Sequence, residues 1–284
     1  MNNNLILNRI FTKNTFDNLI EKHSNKSYSD VVNRYISKEE LNYNIEYISK
    51  IYDFLRKEYR NEYFYKNTLL NKLLLGRHSL NTTTALTEIP INKSKADFIL
   101  INGNAVVYEI KTELDNFERL ESQINDYYKA FKYVYVVTCE KNLDKLEKTL
   151  KNDYVGICIL KRNSSISTIR KAKEYSFNLD YETMFKVLRK KEFENIILKF
   201  YKKLPETTDF EYYDACFDLI KKIDISLVHD EMSKQLKSRV NIIVDEYKEY
   251  VPYELKFLVY FSKYKYNDYL KLNTFLNSKF EGGF

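Results

Sequence analysis

DFILINGNAVVYEIKTELDNFERLESQINDY, residues 97–127, decides the fold of this chain. Two β-prone apolar runs flank Asn102-Gly103-Asn104, a pattern that predicts a tight hairpin. Counting outward from Gly103 sets Asp97 roughly opposite Glu109 on adjacent antiparallel strands. Strand residues two apart share a face, so Glu109 and Lys111 project together while Tyr108 and Ile110 project the other way. An amphipathic helix is predicted over Asn116 to Phe131, with Gln123 and Tyr127 one turn apart on one side. Two carboxylates and an ammonium then meet at one point, the arrangement that a hard divalent cation and an attacking water require.

Around this stretch the hydrophobic period changes twice. Up to about Lys66 it is helical: Ser37-Lys38-Glu39-Glu40 fits a capping box, followed by Leu41, Ile45, Ile48, Ile51, Tyr52 and Leu55 at helical spacing. A further helix is predicted through Glu62, Tyr63, Leu69, Leu70 and Leu73, with Gly76 placed as its C-terminal cap. After Asn81 the pattern alternates, predicting strands at Leu86–Ile91, Ala96–Ile101, Ala105–Lys111, Tyr133–Thr138 and Val155–Leu160, with a helix at Leu143–Leu150. Beyond Asn178 it is helical again, and Met184, Phe185, Leu188, Ile196, Ile197, Phe200 and Tyr201 mark one long helix. The expected fold class is α/β, a mixed central sheet flanked by helices. The expected organisation is a helical N-terminal segment (1–58), a sheet core (59–162) and an all-helical C-terminal region (163–284), with the polar residues Asn163 to Thr168 as the second boundary.

Composition narrows the classes. A chain of 284 residues, 44% hydrophobic and 30% charged, has ample material for a buried core. Only five glycines and three prolines speak against long disordered linkers. Cys139, Cys158 and Cys216 are far apart, with no Cys-x-x-Cys and no histidine pair, which predicts buried reduced thiols and no zinc site. The opening MNNNLILNRIF lacks a basic leader with an apolar run, and no stretch of about eighteen apolar residues occurs, so a cytoplasmic protein without membrane contact is expected. The net charge is +6, with +1 on residues 1–140 and +5 on residues 141–284. Lys161 to Lys203 carries twelve basic against five acidic residues, which suits a polyanion and equally a solvated helix face.

Asp97, Glu109-Ile110-Lys111 and the Gln-x-x-x-Tyr pair Gln123/Tyr127 together resemble the PD-(D/E)XK nuclease superfamily, in its RecB-like branch. VYEIKTELDNFERLESQINDYYKAFKYVYVVT is also similar to a group of uncharacterised bacterial proteins found in prophage and mobile-element settings. The resemblance covers roughly Tyr59 to Thr138 and is silent on the C-terminal half. A lone Glu-x-Lys is a weak signal; its conjunction with an upstream aspartate and a glutamine-tyrosine pair on the next helix is much stronger. The resemblance implies Mg²⁺ or Mn²⁺ bound by Asp97, Glu109 and the carbonyl of Ile110. It assigns Lys111 the placing of the attacking water and the neutralising of developing charge, and Gln123 and Tyr127 a grip on phosphate or on Lys111. Glu62 is the expected additional acidic residue, from the helix before the sheet; an ordinary surface glutamate is the competing reading. Glu88 could reach the site from the first strand, while Glu113 and Asp115 suit the following loop.

Substrate contacts are expected from Arg77, Arg119, Lys129 and Lys132, with His78 beside Arg77 more simply read as solvated. The absence of Gly-x-Ser-x-Gly, of a Gly-x-x-x-x-Gly-Lys loop and of Gly-x-Gly-x-x-Gly excludes those nucleophile and nucleotide motifs. The expected function is a metal-dependent deoxyribonuclease, with defence or counter-defence around mobile DNA implied by the resemblance alone. The alternative is a nuclease-fold module that binds nucleic acid or a partner protein without cutting. A helical protein with an incidental strand motif is the weakest reading. The helical C-terminal region offers surface for self-association or a protein partner.

Overall fold

The computed structural model describes residues 4–36, 41–76, 79–239 and 242–281. Along the chain, α1 (Lys13–Lys22), α2 (Lys26–Tyr35), α3 (Asn44–Glu58) and α4 (Glu62–Leu69) precede a run of short strands. These are β1 (Thr84–Leu86), β2 (Ile89–Ile91), β3 (Ser94–Ala96), β4 (Phe98–Asn102) and β5 (Asn104–Ile110). Next come α5 (Leu120–Tyr127), β6 (Tyr133–Thr138), α6 (Leu143–Thr149), β7 (Gly156–Leu160) and β8 (Ile166–Arg170). The rest is helical: α7 (Tyr181–Val187), α8 (Lys190–Tyr201), α9 (Asp209–Ile220), α10 (Ile225–Lys237), α11 (Val244–Tyr250), α12 (Lys256–Ser262) and α13 (Tyr266–Leu276). The fold is mixed α/β, as the alternating and helical periods require.

Two compact units divide the chain, and they cut across the three consecutive segments expected from sequence. One comprises residues 1–80, 162–165 and 241–284; the other comprises 81–161 and 166–240. The helical unit therefore draws on both ends of the chain. Its closure is made by Asn44, a buried residue whose side-chain amide donates to the carbonyls of Phe275, Ser278 and Lys279, while its Oδ1 accepts from the Tyr28 hydroxyl at 2.9 Å. The capping box at 37–40 lies outside the described residues. Gly76 caps the helical run, as expected: α4 continues into a wide π turn over Leu70–Leu75, and Gly76 ends it at φ −89°, an ordinary helical value.

The second unit is built on a six-stranded mixed sheet in the order β1-β4-β5-β6-β7-β8. β1, β4 and β5 pair antiparallel, β5 pairs parallel with β6 across α5, β6 parallel with β7 across α6, and β8 returns antiparallel. The hairpin turns at Gly103, whose φ of +75° lies in the left-handed region that glycine enters without a Cβ penalty. Its register pairs Phe98 with Tyr108, which sets Asp97 opposite Glu109, as counting from the glycine requires. One face of the sheet carries Ile99, Ile101, Ala105, Val107, Val134, Val136, Ile157 and Ile159 into a core shared with Leu120, Ile124, Tyr127 and Phe131. On the opposite face Tyr108 and Tyr135 stack at 5.4 Å between ring centroids.

Four sequence expectations need correction. The strand expected at Leu86–Ile91 is two pieces: Glu88 turns the chain at φ +55°, and β2 leaves the sheet to form a separate hairpin with β3 around Asn92 at φ +54°. The strand expected from Ala96 is likewise broken at Asp97, between β3 and β4. The polar residues 163–168 do not end the sheet, although the division between the units crosses them; Asn163 caps a turn by accepting from the Ser165 amide and hydroxyl, and the chain re-enters the sheet as β8. The long helix through Met184 and Tyr201 is interrupted at Leu188, which is extended, because Glu192 accepts from the Arg189 amide and starts α8 anew. The Glu192 carboxylate is then clamped by Arg239.

Gly156 is required by packing. A Cβ there would overlap the ring of its strand neighbour Tyr135 and come within 2.7 Å of the Ala172 amide nitrogen. Gly156→Ala is therefore expected to destabilise the sheet unit by about 1–3 kcal/mol, measurable as a lowered urea midpoint.

Candidate functional site

Glu109 and Lys111 lie at the C-terminal end of β5, where that strand has an antiparallel partner on one side and a parallel one on the other. Their side chains are 2% and 11% exposed, and the ammonium of Lys111 stands 3.0 Å from Glu109 Oε1. Because α5 crosses this face, its polar residues reach the pair. Gln123 Oε1 accepts from Lys111 Nζ at 2.9 Å. The Tyr127 hydroxyl donates to Glu109 Oε2 at 2.6 Å and lies 3.0 Å from the Lys95 carbonyl. Tyr128 is buried too but packs elsewhere, against Tyr175. Burial pushes the Tyr127 phenol far above its ordinary pKa, and the charges of Glu109 and Asp97 push it further, so it stays a neutral donor.

Asp97 interrupts the strand beside this network. Its Oδ2 accepts from the Ile110 amide at 2.8 Å, and its carboxylate and that of Glu88 approach within 4.8 Å. Glu88 also pairs with Lys95 at 3.2 Å. Asp97, Glu109, Lys111, Gln123 and Tyr127 are thus one constellation. The backbone beyond Lys111 is fixed as well. Thr138 Oγ1 donates to the Lys111 carbonyl at 2.6 Å, Asn142 donates to the Thr112 carbonyl, and Asp115 accepts from the Thr112 amide and hydroxyl.

Glu62 opens α4 in the helical unit, exposed and paired with Lys66 at 2.6 Å. Arg119 is exposed immediately before α5. Lys129 is 3.5 Å from Asp126. Lys132 is mostly buried and held by Glu174 at 3.1 Å, an ion pair between residues distant in sequence that patterning does not reveal. Arg77 and His78 lie outside the described residues. The three cysteines are buried, as expected.

Sequence reading missed a second clasp on the same helix. Asp126 accepts from Asn92 at 2.5 Å and from Ser94 at 2.7 Å, tying the β2–β3 hairpin to α5. Asx and Ser residues flanking a two-residue turn, with an acid on the following helix, were the available signal. Burial raises the Asp126 pKa, but the bonds from Asn92 and Ser94 and the nearby Lys129 outweigh it and hold the carboxyl below its usual range.

A family model described as Bacteriophage P4 protein cII matches residues 55–254. The chain belongs to that family. Protein cII of Enterobacteria phage P4 is 21% identical over 179 residues, which cover 61% of this chain and 66% of that protein, just under two thirds of its length. A solved structure, the SPO1766 protein of unknown function from Silicibacter pomeroyi, aligns with a TM-score of 0.27 at 13% identity, over 34% of this chain and 63% of that one. The phage setting expected from sequence is thereby met. Neither the description of the family nor the name of the relative mentions a nuclease. No helix among the described residues is long and apolar enough to cross a membrane.

Two measurements check the network. Tyr127→Phe removes the donor to a buried carboxylate and is expected to cost about 1–3 kcal/mol of unfolding free energy. For Asp126 the folded pKa is lowered, so the unfolded state binds more protons in acid and stability rises with pH there. Its contribution is complete above the unfolded carboxyl pKa and is lost as pH falls through the folded one. Asp126→Asn should therefore flatten the acid limb of a stability–pH curve and leave the slope near neutrality unchanged.

Proposed function

We propose that the sheet unit is a metal-dependent nuclease of the PD-(D/E)XK type that hydrolyses phosphodiester bonds in DNA, acting on phage or other mobile DNA. The observation that carries this reading is the meeting of Asp97, Glu109, Lys111 and Gln123 on one face, where β5 turns from an antiparallel to a parallel neighbour. A mixed sheet with helices packed on it is the architecture that the resemblance implies.

The donor set fits a hard cation. Asp97, Glu109 and the Ile110 carbonyl offer oxygen alone, which suits Mg²⁺ or Mn²⁺. Each carboxylate has about four acceptor positions, and the bonds from Lys111 and Tyr127 to Glu109 and from Ile110 to Asp97 occupy only some of them. When bound, the ion supplies acidification of a water and charge neutralisation on phosphate. The chain's own residues do the rest. Lys111, held beside a carboxylate, orients the attacking water and offsets charge developing on the phosphate. Gln123 fixes the Lys111 ammonium, and Tyr127 fixes the Glu109 carboxylate, so neither rotates at the moment of reaction. Three buried cysteines far apart in sequence suit a reducing cytoplasm, the proposed place of action.

A second reading, a nuclease-fold module that binds nucleic acid or a protein without cutting, draws on one observation. Both Glu109 oxygens are already engaged within the chain and the side chain is 2% exposed, as a structural network alone requires. Incubation with linear, circular and single-stranded DNA, and with RNA, in Mg²⁺ or Mn²⁺ separates the two. Cleavage should appear in the parent and fall about 100-fold or more in Asp97→Ala and Lys111→Ala, the scale of a lost electrostatic stabiliser. Equal cleavage in all three proteins removes the catalytic assignment, and binding without cleavage in the parent establishes the module.

A further inference from the structure

We propose that a polar cleft between the β2–β3 hairpin and the start of α7 receives an unpaired nucleobase, making single-stranded nucleic acid the class of ligand this unit grips. The choice of nucleic acid as partner rests on the reading above. The cleft, about 730 Å³ in volume, lies wholly within the sheet unit. At its mouth stands Phe177, 77% exposed, a large apolar ring left in water. The ring is braced: Tyr175 meets it edge-on at 5.4 Å, and Tyr175 is itself packed against Tyr128 at 4.5 Å and Tyr154 at 5.1 Å. A fixed, exposed aromatic face is what base stacking needs, since every base offers a π surface.

The remaining walls argue for a base and against a free phosphate. Lys129 and Lys186 are matched there by Asp180 and Glu182, so the lining is formally neutral. Lys186 is paired with Glu182, and Asp180 spends its carboxylate on the amide and hydroxyl of Thr183. Asn92 and Asn178 add side-chain amides, the groups that address the donor and acceptor edges of bases. Neutral lining, paired amides and one stacking face match a heteroaromatic ring with hydrogen-bonding edges. The cleft adjoins the helix that carries part of the candidate site: Asn92 is tied to Asp126 on α5, and Lys129 follows Tyr127 by two residues. A strand held by its base in the cleft would lie along the helix that carries Gln123.

The chain contains no tryptophan, so Phe177→Trp installs a single reporter at the proposed stacking position. The full chain carrying this substitution is titrated with a 15-mer of thymidine in EDTA, where a metal-dependent cut cannot occur. Saturable quenching of the tryptophan emission is expected. Phe177→Ala should weaken binding of the same labelled oligonucleotide about 5- to 150-fold, the range for one lost base–aromatic stack. Binding of an abasic 15-mer should stay unchanged by that substitution. Emission unaffected by the oligonucleotide, including through absence of binding, overturns the proposal, as does an equal loss for abasic and thymidine strands. Phe177 is exposed, and matched melting curves for parent and variants exclude unfolding as the cause. Quenching in a protein that keeps Asp97 and still cuts nothing when Mg²⁺ or Mn²⁺ is supplied sustains the cleft while removing the nuclease; cutting without quenching removes the cleft alone.

Discussion

An ammonium and a carboxylate held 3.0 Å apart and almost out of water are the constraint on which the sheet unit depends. Neither charge is tolerable alone at that depth, and breaking such a pair by removing one partner typically costs about 3–5 kcal/mol. The pair is completed only when α5 lies across the sheet, because Gln123 takes one lysine hydrogen and Tyr127 supplies the second donor to the glutamate. The position of α5 is in turn fixed by Asp126 and by the Tyr127 contact to Lys95, both of which bind the small hairpin. Sheet, helix and hairpin are thereby joined by a few polar groups amid an apolar core. The residues that make the site chemically suggestive are also those that hold the unit together.

What could be read from sequence was whatever local periodicity encodes. Gly103 fixed the hairpin and its register, alternation placed Glu109 beside Lys111, and helical spacing brought Gln123 and Tyr127 to the same face. What escaped depends on partners distant along the chain. Asp126 meets Asn92 and Ser94 more than thirty residues away, and Arg239 reaches Glu192 across forty-seven. Non-glycine residues in left-handed conformations, Glu88, Asn92 and Ser164, turn the chain where alternation alone predicts a continuous strand or a loop. The pairing of Lys132 with Glu174 similarly converts an expected phosphate contact into an internal one.

Membership of the phage P4 cII family covers the whole of the sheet unit and only part of the helical one. The matched span begins late in α3 and ends before α12, leaving α1, α2, α12 and α13 outside. The constellation around Lys111 lies inside the span, as does the cleft beside Phe177. Variation among relatives is thus expected to concentrate in the helices contributed by the two ends of the chain.

Asn44 carries a consequence for synthesis. Its amide is filled by carbonyls at Phe275, Ser278 and Lys279, so α3 waits for the last part of the chain to emerge. At ribosomal rates of about 5–20 residues per second the wait, over the 231 to 235 residues that separate Asn44 from these carbonyls, lasts on the order of 10–50 s. Until then α1 and α3 lack their partner α13, while every segment of the sheet unit is made before α13 emerges. Chaperone capture during translation should therefore fall on the amino-terminal helices rather than on the sheet.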